Sequence, residues 1–284
     1  MKHIVVIPVF NDWKSLNKLL TKLNFFLKNK KKITNEVLIV NDNSSEEIQL
    51  DYKRYESFKN IKILSLRKNV GSQIAIAIGL NYLNSLKNEF YVTVMDADGE
   101  DSPAQVNIML ECAINNKNFV VTSNRKKRKE SLLIILLYKL HLLLTFLFTA
   151  KWISFGNFST FHKKNLKKLL SNKCSLYAHS SSILKNCNIK RLYAVREKRF
   201  YDKSKLSILG LIHHSLRVNS VFYKNIFFSS VVYTSIIYIF FEPILLFPIL
   251  FYNLIILYTK YKFWNFKMIF LKDFIGNTKL FRTN

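Results

Sequence analysis

The sequence predicts an α/β protein: a mostly parallel sheet with helices on both of its faces. Three observations carry this. Apolar, β-branched runs of strand length recur at residues 4–10, 37–40, 61–66 and 91–95. Segments with helical spacing separate them, at 16–26 and 71–83, and such alternation gives parallel strands with helical crossovers. Polar residues follow the strands, at Pro8 to Asn11, at Asp42 and at Asp96 to Glu100. In open sheets of this kind ligands bind beyond the carboxyl ends of the strands.

Element by element, Ile4-Val5-Val6-Ile7-Pro8-Val9-Phe10 reads as a buried strand ended by a turn residue, and 16–26 as a helix with Lys18 and Lys22 interleaved. Val37-Leu38-Ile39-Val40 is a second buried strand, followed by the polar turn Asn41-Asp42-Asn43-Ser44-Ser45. Residues 61–66 form a third. The helix at 71–83 is kept slim by Ala75, Ala77 and Gly79, and Tyr91 to Met95 makes the fourth strand.

The acidic knot Asp96-Ala97-Asp98-Gly99-Glu100-Asp101 at the mouth of that strand is the most chemically informative feature. In so basic a chain it is costly unless a cation neutralises it. Mg²⁺ and Mn²⁺ take carboxylate oxygens and commonly share them with substrate phosphates. The alternative is an acidic turn that caps the helix beginning near Pro103.

The chain resembles the family-two nucleotide-sugar glycosyltransferases with a GT-A fold. The resemblance rests on Pro8-Val9-Phe10-Asn11, Val40-Asn41-Asp42-Asn43-Ser44, Arg67-Lys68-Asn69-Val70-Gly71 with Ala75 and Gly79, and Asp96-Ala97-Asp98. These cover roughly the first half of the chain. Within the family it is most similar to the polyprenyl-phosphate glycosyltransferases related to dolichol-phosphate mannose synthase, on Arg199-Phe200-Tyr201-Asp202-Lys203-Ser204-Lys205 and the apolar C-terminal region.

The resemblance implies roles. Asp42 would hydrogen-bond the base or ribose of a nucleotide diphosphate sugar, in a pocket with Pro8, Phe10, Asn11, Arg67, Asn69 and Asp96. Arg125 would reach the diphosphate. Asp96, Asp98 and Glu100 would ligate Mg²⁺ or Mn²⁺, with Asp98 offsetting charge on the leaving group. Arg199, Ser204 and Lys205 would meet phosphate oxygens of donor or acceptor, unless 199–205 is only a solvated basic loop. Asp98, Asp101 and Asn157 stand as the catalytic set. Asn157 occupies a place that is usually a carboxylate, and an amide is a poor general base. A polyprenyl phosphate is already an anionic nucleophile and needs no base, whereas a hydroxyl of a lipid-linked glycan would need one, for which Asp101 is a candidate. Asp202 likewise departs from the usual glycine.

Composition points to a membrane setting. Lys and Arg number 44 against 18 Asp and Glu, a formal net charge of +26, in 284 residues with 24 Phe and 14 Tyr. Such basicity would suit nucleic acid, but here basic residues flank the greasy stretches 226–241 and 244–259, which Glu242-Pro243 separates. Each is slightly shorter than the roughly 20 residues of a spanning helix, so they are two tight spans or a re-entrant hairpin. The resemblance favours two spans.

Lys203, Lys205, Arg217 and Lys224 precede the pair, and Lys260, Lys262 and Lys267 follow it. This places both flanks on the cytoplasmic side. The expected organisation is a catalytic domain at 1–200, an interfacial segment at 201–224, two transmembrane helices at 225–260 and a basic cytoplasmic tail at 261–284. The greasy helix at 131–148 lies along the bilayer or covers the acceptor site, and Arg125 to Lys129 forms a patch for anionic lipid. No secretory signal is visible, and Cys112, Cys174 and Cys187 fit a reducing compartment.

The expected function is a membrane-anchored, metal-dependent inverting glycosyltransferase acting on a polyprenyl phosphate, with membrane lipids as partners, no nucleic acid, and room for a homo-oligomer. Transfer to a glycan hydroxyl in surface polysaccharide synthesis is the enzymatic alternative. A non-catalytic basic membrane scaffold is the alternative of another class, and its binding would collapse with salt.

Overall fold

A computed structural model describes residues 1–28, 32–125, 132–194, 197–201, 208–264 and 275–282. In chain order the strands are β1 (Lys2–Val9), β2 (Thr34–Asn41), β3 (Phe58–Leu66), β4 (Tyr91–Val94), β5 (Phe119–Arg125), β6 (Phe155–His162), β7 (Asn188–Ala194) and β8 (Ile275–Arg282). They form one sheet in the order β7-β5-β6-β4-β1-β2-β3-β8. The central pairs β4/β1, β1/β2 and β2/β3 are parallel, while β6 and β8 join antiparallel to β4 and β3.

Central β1 alternates its side chains between two cores. Ile4 and Val6 face the helix α2 (Ser72–Asn84), with Ile76 and Leu80. Val5, Ile7 and Val9 face α1 (Trp13–Leu27) and α3 (Pro103–Asn115). Gly79 is required where α2 crosses the sheet, since a Cβ there would stand 2.8 Å from a Val40 methyl. Pro8 is tolerated inside a central strand for a positional reason. Met95 donates its N–H to Val6 O, so even-numbered residues of β1 point towards β4. Pro8 therefore lacks its donor on the side where β4 has already ended.

The rest of the chain adds α4 (Leu132–Thr149), the short helices α5 (Leu166–Leu170) and α6 (Cys174–Tyr177), and α7 (His179–Asn186). After β7 come α8 (Ile208–Ser220), α9 (Tyr223–Phe240) and α10 (Leu246–Trp264). The chain breaks between α9 and α10 at Glu242-Pro243, as the sequence predicts. Among the described residues one helical stretch, Pro243–Phe263, is long and apolar enough to cross a membrane by length and composition. Two such helices were the expectation from sequence. Phe228, Ile239, Phe240, Phe247, Phe251 and Leu254 on the α9–α10 hairpin are each 65–73 % exposed.

One expectation needs correction. The segment at 261–284, read as a tail, contains β8, which pairs with β3 from Asn60↔Arg282 to Leu66↔Ile275. The sheet of the N-terminal domain is thus completed by residues beyond the apolar hairpin.

Candidate functional site

The switch point of the sheet lies between β1 and β4, because β1 leads to β2 on one side while β4 lies on its other. At the exit of β1, Asn11 takes a left-handed φ of 47°, a conformation asparagine tolerates. Its N–H donates to Ser44 Oγ and its side-chain oxygen accepts from Ser45 N–H, so it ties this loop to the one after β2. Pro8 is buried and Phe10 is 42 % exposed at the rim. Asp42 is 2 % exposed, and its two carboxylate oxygens accept the N–H groups of Val70 and Gly71 at 2.8 Å each. It therefore anchors the loop that opens α2. Burial raises its pKa to about 6, against the two hydrogen bonds that lower it. Arg67 and Asn69 are exposed on that loop, with the Arg67 stem beside Gly276 of β8.

The acidic turn after β4 folds on itself. Asp98 Oδ1 accepts from Glu100 N–H at 3.0 Å, and Asp101 Oδ2 accepts from Asp96 N–H at 3.3 Å. The segment 197–201 lies across this turn. Glu197 N–H donates to Glu100 O and Phe200 N–H to Asp98 O. Arg199 Nη1 stands 3.1 Å from Asp98 Oδ2. Phe200 packs directly on Gly99, whose φ is +83° and whose missing Cβ would be 2.3 Å from the ring. Both facts demand glycine there. On the outer side Lys14, Lys18 and Lys22 of α1, one turn apart, lay their ammonium groups 4.4–5.1 Å from the rings of Phe200 and Tyr201. Lys22 also pairs with Glu197 at 3.2 Å.

Behind the turn runs a set of side-chain amides, of which the sequence singles out Asn157 but not Gln73. Asn157 on β6 donates through Nδ2 to Asp96 Oδ1 at 3.0 Å, and Gln73 Nε2 donates to Asn157 Oδ1 at 3.0 Å. Gln73 Oε1 accepts the main-chain N–H of His179 at 2.8 Å. Ser159 Oγ bonds His179 Nε2 at 2.8 Å and lies 3.1 Å from Asn157 O. Burial lowers the His179 pKa to about 3, so its ring is neutral.

The site residues read from sequence therefore fall into groups. Asp96, Asp98, Glu100, Asp101, Asn157 and Arg199 come together. Asp42 and Asn11 share the rim but serve its loops. Asn157, placed in the catalytic set, here contacts the chain's own Asp96 as a donor. Ser204, Lys205 and Asp202 lie outside the described residues, as do Lys126 to Lys129 and the side chain of Arg125. The expected three-carboxylate metal set is not assembled: among the described residues no three His, Cys, Asp or Glu side chains group to hold an ion. The turn still favours a cation, since Asp98 holds the Arg199 guanidinium. One or two carboxylates are what a hard cation needs when diphosphate oxygens complete its shell.

Sequence reasoning missed Gln73 and His179, which belong to α2 and α7 and carry no local signal. The Lys14-Lys18-Lys22 spacing was a signal for one helix face, but not for the aromatic pair that covers it.

Comparison with known proteins agrees with this architecture. The profile described as Glycosyl transferase family 2 matches residues 4–184. The uncharacterized glycosyltransferase sll0501 of Synechocystis is 29 % identical over 128 residues, 45 % of this chain and 39 % of the relative. The chain thus spans about two fifths of the length of the curated relatives it matches. Two solved structures share the fold at TM-score 0.50. S. aureus TarS 1–349 in complex with UDP-GlcNAc is 16 % identical, over 83 % of this chain and 71 % of that one. M. tuberculosis glucosyl-3-phosphoglycerate synthase with phosphoglyceric acid is 14 % identical, over 79 % of each chain. A family match across residues 4–184, on a sheet with its acidic turn at the switch point, shows that the chain belongs to glycosyl transferase family 2.

Proposed function

We propose that the protein is a membrane-anchored inverting glycosyltransferase that moves a sugar from a nucleotide diphosphate donor to a polyprenyl phosphate. The observation that carries this reading is the Asp96–Asp98 turn at the switch point, covered by a basic segment whose Arg199 already contacts Asp98. A divalent cation, Mg²⁺ or Mn²⁺, held by Asp98 with Asp96, would neutralise charge growing on the departing diphosphate. Arg199 adds a guanidinium suited to phosphate oxygens. Asp42 and Asn11 hold the loops around a nucleotide, and Asp42's contact with the base or ribose remains part of the proposal.

A phosphate acceptor is supported by the two described residues nearest the role of a base. Asn157 is an amide, and Asp101 spends an oxygen on a main-chain N–H. A phosphate acceptor attacks without deprotonation, which suits these residues better than a sugar hydroxyl.

Membrane anchoring is supported by the exposed apolar hairpin α9–α10 and by a stripe on α4, where Leu136, Leu140, Leu143 and Leu147 are 45–63 % exposed at helical spacing. The sheet adds a topological constraint. Because β8 returns to β3, both feet of the hairpin lie on the side of the catalytic domain. Either both helices cross the bilayer or neither does, and the exposed apolar side chains favour both.

The test is turnover of the purified, detergent-solubilised chain on a panel of nucleotide sugars with undecaprenyl phosphate, with and without Mn²⁺ or Mg²⁺. A metal-dependent lipid product that is lost in Asp98→Ala is expected. Donor hydrolysis with no lipid product would overturn the acceptor assignment in favour of a glycan. Absence of donor binding would overturn the enzyme reading.

A further inference from the structure

We infer that Gln73 is a positioning residue: it fixes the polarity of an amide relay, from the start of α7 to Asp96, that holds the Asp96 carboxylate for the donor. The inference rests on the reading of Asp96 as a donor-site group and deepens it.

The direction of the relay is set by its far end. The His179 N–H is a main-chain donor at the first turn of α7, where helix N–H groups have no partner of their own. His179 is fully buried, so that donor needs an acceptor. Gln73 is 4 % exposed and presents Oε1 to it at 2.8 Å. Its Nε2 must then point the other way, to Asn157 Oδ1 at 3.0 Å. That contact turns the Asn157 amide so that Nδ2 faces Asp96 Oδ1, also at 3.0 Å. Amide orientations are ordinarily ambiguous between oxygen and nitrogen. Here an unambiguous donor at one end and a carboxylate at the other leave one consistent assignment.

The relay also gives a reason for asparagine at 157. A carboxylate there would face Asp96 at hydrogen-bond distance and repel it. An amide donates, but only while Gln73 prevents it from turning over. Gln73 bonds Asn157 and Asn157 in turn bonds Asp96, so the effect of Gln73 on that carboxylate passes through Asn157.

The experiment measures binding of UDP, GDP, CDP and ADP, each with Mn²⁺, by titration calorimetry, and carries forward the tightest. Gln73→Glu keeps the acceptor for His179 but, when ionised, has no proton for Asn157 Oδ1. Binding at pH 8 is expected to weaken about tenfold or more, the scale of losing a hydrogen bond to a charged group. It should recover as the pH falls and the new carboxyl regains a proton to donate, while the wild-type chain shows no such recovery. Asn157→Ala is expected to lose a similar factor at every pH, and adding Gln73→Glu to it should cost nothing more, because the two act in series. Should Q73E fail to fold, the Asn157→Ala arm decides alone. Wild-type affinity in either variant, or a Q73E loss equal at all pH values, overturns the relay. A wild-type chain that binds none of the nucleotides overturns the functional reading itself, and the relay's role with it.

Discussion

Gly99 shows how tightly one residue constrains the site. Its φ of +83° and the Phe200 ring packed where a Cβ would stand leave no room for a side chain. Gly99→Ala should destabilise the fold by roughly 1–3 kcal/mol through strain and overpacking and loosen donor binding by freeing segment 197–201. Denaturant midpoints check the first effect. The double variant with Phe200→Ala should regain part of that stability, because the ring that clashes is gone. A second residue-level consequence concerns acid. His3 is fully buried between Asn35 and Thr93, and burial lowers its pKa from 6.5 to about 4. Below pH 6.5 the unfolded chain binds a proton that the fold refuses, so His3's contribution is intact above pH 6.5 and lost as pH falls towards 4. The loss is about 3 kcal/mol in all. His179 acts in the same sense. Asp42, raised to about 6, acts in the opposite sense between about 4 and 6, where the fold holds a proton that the unfolded chain releases. Burial lowers His162 as well, so three histidines against one carboxyl leave a net loss on acidification from pH 7 to 5. His3→Gln should flatten that dependence in urea titrations across the same range.

At the scale of elements, legibility followed burial. β1, β2 and β4 are continuous apolar runs because both faces of a parallel strand are covered, so their residues announce them. β8 reads Ile-Gly-Asn-Thr-Lys-Leu-Phe-Arg and is exposed along most of its length. An edge strand paired on one side needs no apolar run, and nothing local marks its partner as β3. The same limit applies inside the site. Asp42, Asp96, Asp98 and Arg199 are legible as polar residues at a strand end or in a basic loop, but their partners come from elements distant in sequence. Gln73 looks like an ordinary helix residue until α7 is folded against it. Removing β8 by truncation after residue 274 should expose the β3 edge and unstack Phe281 from Tyr52, whose ring centroids are 4.7 Å apart. Hydrogen exchange should then show lost protection along Phe58–Leu66, with more aggregation from the open edge. Unchanged protection there would contradict the importance of β8.

For the whole molecule the pairing of β8 with β3 becomes a statement about sidedness. With a single cysteine introduced in turn on a background lacking Cys112, Cys174 and Cys187, a membrane-impermeant thiol reagent applied from the catalytic side should label position 277. Position 242 should react only from the opposite side. Labelling of both from one side would mean that the hairpin does not cross. The order of synthesis carries a further consequence of this strand. Ribosomes deliver roughly 5–20 residues per second, so β8 emerges about 10–40 s after β3. During that interval the sheet is built from β1 to β7 and the apolar hairpin is released, while the β3 edge stands open. The last contact to form is therefore among the longest in sequence, a slow, non-local closure. The nascent chain must hold the apolar hairpin and an open sheet edge apart until β8 arrives.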